Sequence, residues 1–198
     1  MRRAVDVILL PDETTRRYAE RVSAQRTAPD DAQRLGPGRG IAHLSLAMGV
    51  LEDGDRLAVE ASLERLVLES PAPELVILGP VPREGAGASG SLWLALEVTP
   101  GLRALHDAAR AAIRAPTGPP PRPDDLHPSA REPLASTLDY IARFEVDAAG
   151  AAFSPHVTLG RGTPTADRPP ARMRAVGLAL AWLGERCSCR EILWRRDW

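Results

Sequence analysis

Two short stretches of this chain carry the residue types needed for acid–base chemistry. His43 and Ser45 lie in Ala42-His43-Leu44-Ser45-Leu46, and His156 and Thr158 in Pro155-His156-Val157-Thr158-Leu159. Each reads histidine, aliphatic, hydroxyl residue, aliphatic. Side chains alternate along a β-strand, so the imidazole and the hydroxyl of each stretch share one face while the two aliphatic residues anchor the other. Imidazole titrates near neutral pH, with a reference pKa of about 6.5, so one histidine can serve as base and a second as acid. Hydroxyls beside them can donate hydrogen bonds to oxygens on which charge builds up.

One strand histidine alone is ordinarily a satisfied structural residue. Two copies in matching settings, 113 residues apart, are the informative pattern. His127-Pro128-Ser129 repeats only the His-x-Ser part, in a proline-rich stretch where strand alternation does not apply. The fourth histidine, His106, falls on a predicted helix and reads as structural or exposed.

The elements that must hold these residues follow from the apolar pattern. Strands are expected at 4–10, 41–50, 74–79, 91–98, 156–160, 175–183 and 190–196. Helices are expected at 12–25, with Asp12 as N-cap, at 56–69, 101–114 and about 134–145. In the second helix Leu57, Ala61, Leu63, Leu66 and Val67 are expected to form the apolar face. The turn-rich stretch from Pro82 to Gly90 joins two strands. Residues 116–133 hold seven prolines and read as a connection or flap between halves of a single domain spanning 1–198. A polar loop is expected at 161–174. Strands outnumber helices and come in runs, which predicts an α+β fold with mostly antiparallel sheets.

With 198 residues and 44% hydrophobic content, the chain can bury a substantial core. No apolar run is long enough for a membrane helix, and the N-terminus, interrupted by Asp6, reads as a first strand rather than a signal peptide. All 25 residues of the Lys+Arg count are arginine, so chemistry that needs a lysine amine is excluded. The net charge of −1 argues against tight nonspecific duplex binding and favours a small substrate or one nucleic-acid end. Two cysteines, Cys187 and Cys189, are too few for a disulfide framework, so a reducing cytoplasm is the expected compartment. A lone Cys-x-Cys is also poor zinc spacing, and no metal or cofactor is assigned. A monomer is expected.

The two tetrads resemble the signature of the 2H phosphoesterase superfamily, which includes RNA 2′,3′-cyclic phosphodiesterases and proteins called 2′–5′ RNA ligases. His43-Leu44-Ser45-Leu46 and His156-Val157-Thr158-Leu159 both match it in full. Phe153-Ser154-Pro155, Gly160-Arg161 and Leu92-Trp93-Leu94 resemble their surroundings in the family. The Pro-rich stretch and the 161–174 loop are individual to this chain. The resemblance implies two pseudo-symmetric lobes flanking a central cleft, with helices outside. It implies metal-independent hydrolysis of a 2′,3′-cyclic phosphate, or reversible action on a 2′–5′ linkage, at RNA ends or nucleotides. His43 and His156 would be catalytic, with His156 favoured as base and His43 as acid, although the symmetry leaves the reverse open. Ser45 and Thr158 would hold phosphate oxygens. Arg161 is a further candidate for phosphate, and Trp93 for stacking a base or for the core. Arg195-Arg196 reads as a solvated end or a contact for RNA phosphates. The alternatives are an RNA- or nucleotide-binding protein that keeps the fold without turnover, and a zinc hydrolase using the cysteines.

Overall fold

Strand β1 (Arg2–Pro11) is buried on both faces along residues 4–11, as its nearly unbroken apolar run requires. It lies between β2 (Leu44–Glu52) and β6 (Arg172–Leu183), antiparallel to both. Strands β3 (Glu74–Arg83), β4 (Ser91–Leu96), β5 (His156–Arg161) and β7 (Cys189–Asp197) complete one array of order β1-β2-β5-β4-β3-β6-β7. Every pairing between these strands, among the described residues, is antiparallel. The start of β6 pairs with β3 through Arg172–Arg174, and its remainder pairs with β1 and β7, so the sequence of pairings returns to its beginning. This computed structural model describes residues 1–83, 90–113, 119–130, 134–163 and 166–198.

Three helices cover one face of the array. Helix α1 (Glu13–Arg26) starts at Asp12, whose carboxylate accepts from Thr15 N at 2.9 Å. The other carboxylate oxygen accepts from Arg174 N at 2.7 Å, tying the cap to β6. Such a cap is worth about 1 kcal/mol. Helix α2 (Arg56–Glu69) buries Val59, Leu63 and Val67, an i, i+4, i+8 stripe. The expected face is therefore rotated: Leu57 is 78% exposed and Ala61 is exposed as well. The cause is legible in the helix itself, which carries Leu or Val on all sides, so that spacing alone does not single out one stripe. Helix α3 (Pro100–Ile113) buries Leu102, Leu105, His106, Ala109 and Ile113. Thr99 Oγ1 accepts from Leu102 N at 3.1 Å at its start. With Val5, Val7, Leu9, Leu44, Leu46, Val157 and Leu159, these helices form the larger core.

Helix α4 (Ala135–Asp147) lies on the opposite face, where Ile141 and Phe144 pack with Ile8, Leu10, Met48, Ala179 and Ala181 in a smaller core. That face also carries the cleft. The α+β class with antiparallel pairing is as expected, and every predicted helix and strand occurs. No helix among the described residues is long and apolar enough to cross a membrane.

The proline-rich stretch falls partly outside the described residues. Its described part, 119–130, docks on β1 and β6. Arg2 donates to Pro119 O at 3.2 Å, to Pro120 O at 3.0 Å and to Asp125 Oδ2 at 2.9 Å, and Trp182 Nε1 donates to Asp125 O at 2.8 Å. The turn predicted between β3 and β4 lies outside the described residues over 84–89, as do two residues of the 161–174 loop.

Candidate active site

The two histidine motifs meet at one point. Leu44 of β2 pairs with Val157 of β5, the single registered pair between these strands. Both side chains are fully buried in the larger core. In antiparallel register the next positions oppose one another on the other face: His43 with Thr158, and Ser45 with His156. The two imidazoles thus occupy diagonal positions of one small square, a separation of roughly 7–8 Å between such residues and somewhat less between their Cβ atoms.

All four side chains line one cleft of about 360 Å³. That volume lies at the lower end of the range typical of small-ligand sites. Trp93, Arg83, Tyr140 and Arg186 contribute to its walls. The catalytic candidates are thus brought together by β2 and β5, while β3, β4 and α4 supply the surroundings.

The two histidines are held alike. His43 Nδ1 is 2.7 Å from Ile41 O, and His156 Nδ1 is 2.7 Å from Ser154 O. A carbonyl can only accept, so each Nδ1 carries the hydrogen, and each Nε2 is left to take or give a proton. Each acceptor lies two residues before its histidine.

Their surroundings differ. His156 stacks on the Trp93 indole with ring centroids 3.5 Å apart and planes 7° apart. The Arg83 guanidinium sits 5.0 Å from the same indole's centroid. Loss of solvation lowers the His156 pKa to about 4, with His43 and Arg83 adding like-charge repulsion. Trp93 therefore uses a ring face to orient a histidine, and it belongs to the cleft rather than the core.

His43 instead faces the buried end of the cleft. Its Nε2 lies 3.7 Å from Asp6 Oδ2 and 3.5 Å from Cys189 Sγ. Burial lowers the His43 pKa, partly opposed by the bond to Ile41. Asp6 is wholly buried, and desolvation holds its carboxyl well above the usual carboxylate range against the opposing bond from Ser45. Ser45 Oγ donates to Asp6 Oδ2 at 2.6 Å. Asp6 is the buried neighbour of both His43 and Ser45 that the motifs do not mark. The signal was present: one acid inside an apolar strand, Val5-Asp6-Val7-Ile8.

Other candidates sit elsewhere. Arg161 does not line the cleft: its backbone N donates to Thr27 Oγ1 at 3.1 Å, and its guanidinium is 3.9 Å from the Asp31 carboxylate. Among the described residues, the arginines lining the cleft are Arg83 and Arg186, which no motif marks. His106 is structural and fully buried, with Nδ1 2.6 Å from Leu46 O and its ring stacked on Phe153. His127 makes a local contact of 2.8 Å to Ser129 Oγ, outside the cleft lining. Arg195 and Arg196 lie beside Asp197 and Glu64, at 2.6 and 3.6 Å. Cys187 lines the cleft with its thiol pushed up to about 12 by burial. Cys189 lies beside His43, a juxtaposition that cysteine spacing alone did not reveal.

No protein-family model and no curated protein matches the chain. Solved structures do. A structure described as a phosphoesterase shares 16% identity at a TM-score of 0.56 over 98% of each chain. Escherichia coli LigT complexed with phosphate shares 18% identity at a TM-score of 0.55, covering 99% of this chain and 97% of LigT. LigT complexed with 3′-AMP shares 16% at 0.53 over the same fractions. At these identities the likeness is one of architecture, and it spans the whole chain: this protein has the fold of LigT.

Proposed function

We propose that the chain is a phosphoesterase that opens 2′,3′-cyclic phosphates at RNA ends or on small nucleotides, with the two histidines as its acid and base and no metal in the catalytic step. The observation that carries this reading is the shared tether of the imidazoles, Nδ1 to a carbonyl in both motifs, in strands that meet at Leu44 and Val157.

In this reading His156 is the base. Its low pKa keeps it neutral at physiological pH, so Nε2 accepts a proton from water as the water oxygen attacks phosphorus. The bond from phosphorus to one ribose oxygen breaks, and His43 Nε2–H protonates that oxygen. Asp6, 3.7 Å from His43 Nε2, is the acidic neighbour able to support its imidazolium form. Thr158 donates to a non-bridging phosphate oxygen. Ser45, whose hydroxyl donates to Asp6 Oδ2 at 2.6 Å, holds that carboxyl beside His43. Arg83 and Arg186, rather than Arg161, supply positive charge at the cleft. With a ribose 5′-hydroxyl attacking phosphorus in place of water, its proton passing to His156 and the 3′ oxygen leaving with a proton from His43, the same site would form a 2′–5′ linkage without ATP. The substrate partner is one RNA terminus or a nucleotide, acted on by a monomer.

The test is hydrolysis of the four nucleoside 2′,3′-cyclic monophosphates in chelator by wild type, His43→Ala and His156→Ala. Each substitution is expected to lower kcat/KM about 10²–10⁴-fold, the usual contribution of a positioned acid or base. Ligand binding without turnover by wild type would replace this reading with that of a binding protein. Activity lost to chelator alone would favour metal-dependent hydrolysis.

A further inference from the structure

Asp6, His43 and Cys189 converge from β1, the start of β2 and β7. Their nearest donor atoms are 3.5 Å (Sγ to Nε2), 3.7 Å (Nε2 to Oδ2) and 3.9 Å (Sγ to Oδ2) apart. Tetrahedral zinc with Zn–S about 2.3 Å and Zn–N or Zn–O about 2.1 Å needs ligand–ligand edges of about 3.4–3.6 Å. The three atoms therefore nearly outline one face of a zinc tetrahedron, and movements of a few tenths of an ångström complete it.

We propose that these three residues form a binding site for Zn²⁺ whose occupancy silences the phosphoesterase, because the cation takes Nε2 of His43. The silencing rests on the function proposed above; the binding does not.

The surroundings suit a metal. His43 donates its other ring hydrogen to Ile41 O at 2.7 Å, which fixes the tautomer with the Nε2 lone pair toward the group. Ser45 Oγ donates to Asp6 Oδ2 at 2.6 Å, the outer bond expected behind a ligating carboxylate. Asp6 Oδ1 is buried with no hydrogen-bond partner. Thiolate and imidazole select zinc over calcium or magnesium. Asp6 and Cys189 are wholly buried, so their ionised forms are costly alone, whereas one dication balances a thiolate and a carboxylate. Binding breaks the S–H bond of Cys189 and, where present, the O–H bond of Asp6; both protons pass to solvent. His43, 12% exposed, lines the cleft through which the cation enters, and water or a phosphate oxygen can take the fourth position.

Co²⁺ is the probe, since its tetrahedral thiolate complexes absorb through sulfur-to-metal charge transfer. One equivalent is expected to give that band in wild type and Cys187→Ser, and one equivalent of Zn²⁺ to remove it. The band should be lost in Cys189→Ser and Cys189→Ala. His43→Ala, at the cleft surface, should weaken binding about tenfold or more without disturbing the core. No band in wild type, a band surviving loss of Cys189, or a band lost only in Cys187→Ser would overturn the site. Stoichiometric Zn²⁺ is expected to abolish cyclic-phosphate hydrolysis, and chelator to restore it. Binding that leaves hydrolysis unchanged or raises it overturns the silencing. A Co²⁺ band without hydrolysis by the metal-free protein leaves the site standing and overturns the phosphoesterase reading.

Discussion

Leu44 and Val157 are the one registered pair between β2 and β5, and that pair brings residues 113 positions apart in sequence into a single cleft. Their burial fixes the strand faces, because a slip of one residue would send both imidazoles into the core. Four side chains with no sequence proximity across the motifs thereby share one small surface.

The acid limb of the pH–activity profile is expected near pH 4. His156 must be neutral to act as base, and desolvation lowers its pKa to about 4. Activity should therefore hold as pH falls below the ordinary imidazole value of about 6.5 and drop only through His156's own pKa. Folding should respond with the matching sign. The unfolded chain takes up this proton at about 6.5 and the folded protein only near 4, so the unfolded state binds more protons between those values. Stability is expected to decline as pH falls across that window and to be unaffected by this group above it. The profile of kcat/KM and calorimetric melting across the same range check both halves; an acid limb near 6.5 would count against His156 as base.

Thr158 and Ser45 should behave differently although their motifs match. Ser45 is bonded to buried Asp6, whereas Thr158 faces the cleft opposite Trp93 on the adjoining strand. Thr158→Val is expected to lower kcat/KM about 10²-fold, as loss of one oxyanion donor does, with little change in melting temperature. Ser45→Ala should lower activity and also destabilise by about 1–3 kcal/mol, because it removes a partner from a buried carboxyl. Paired kinetic and thermal measurements separate the two.

Trp93 orients His156 by stacking and shields it from water. Trp93→Ala is expected to raise the His156 pKa toward 6.5, since desolvation is the main cause of its lowering. NMR titration of the imidazole reads that shift directly. A pKa left near 4 would assign the desolvation to other walls of the cleft. Trp93→Phe keeps a ring in place and should preserve most of the shift.

Gly160 follows the second motif at φ +105°, and a Cβ there would lie 1.9 Å from Thr27 Oγ1. This close approach lets the end of α1 pack on β5, where Thr27 also accepts from Arg161 N at 3.1 Å. Gly160→Ala combines a left-handed backbone with a steric clash and is expected to cost about 2–4 kcal/mol. Denaturant unfolding measures it; a cost under about 0.5 kcal/mol would show that α1 shifts freely away from the strand.

Much of this architecture was legible along the chain. Period-two alternation placed both histidine–hydroxyl pairs on a common strand face, and each expected helix and strand is present. Asp12 caps α1 as its position before the helix suggested. The rotated face of α2 shows the limit of periodicity: when Leu and Val surround a helix, only the neighbouring elements decide which of them is buried. Arg161 shows another limit, since a cation near a motif in sequence can turn toward Asp31 while Arg83 comes to the cleft from a different strand.

Residue types and their spacing set the chemistry available: two imidazoles, two hydroxyls, no lysine, and strands whose alternation presents the reactive groups together. Those are local properties, set by residue type and backbone period. Tertiary structure decided the company these groups keep. Asp6, Cys189, Trp93 and Arg83 reach the histidines from four different strands, through pairings between residues far apart in the chain. Desolvation depends on that packing, so the low pKa of His156 and the buried Asp6–His43–Cys189 cluster exist only once the array has closed.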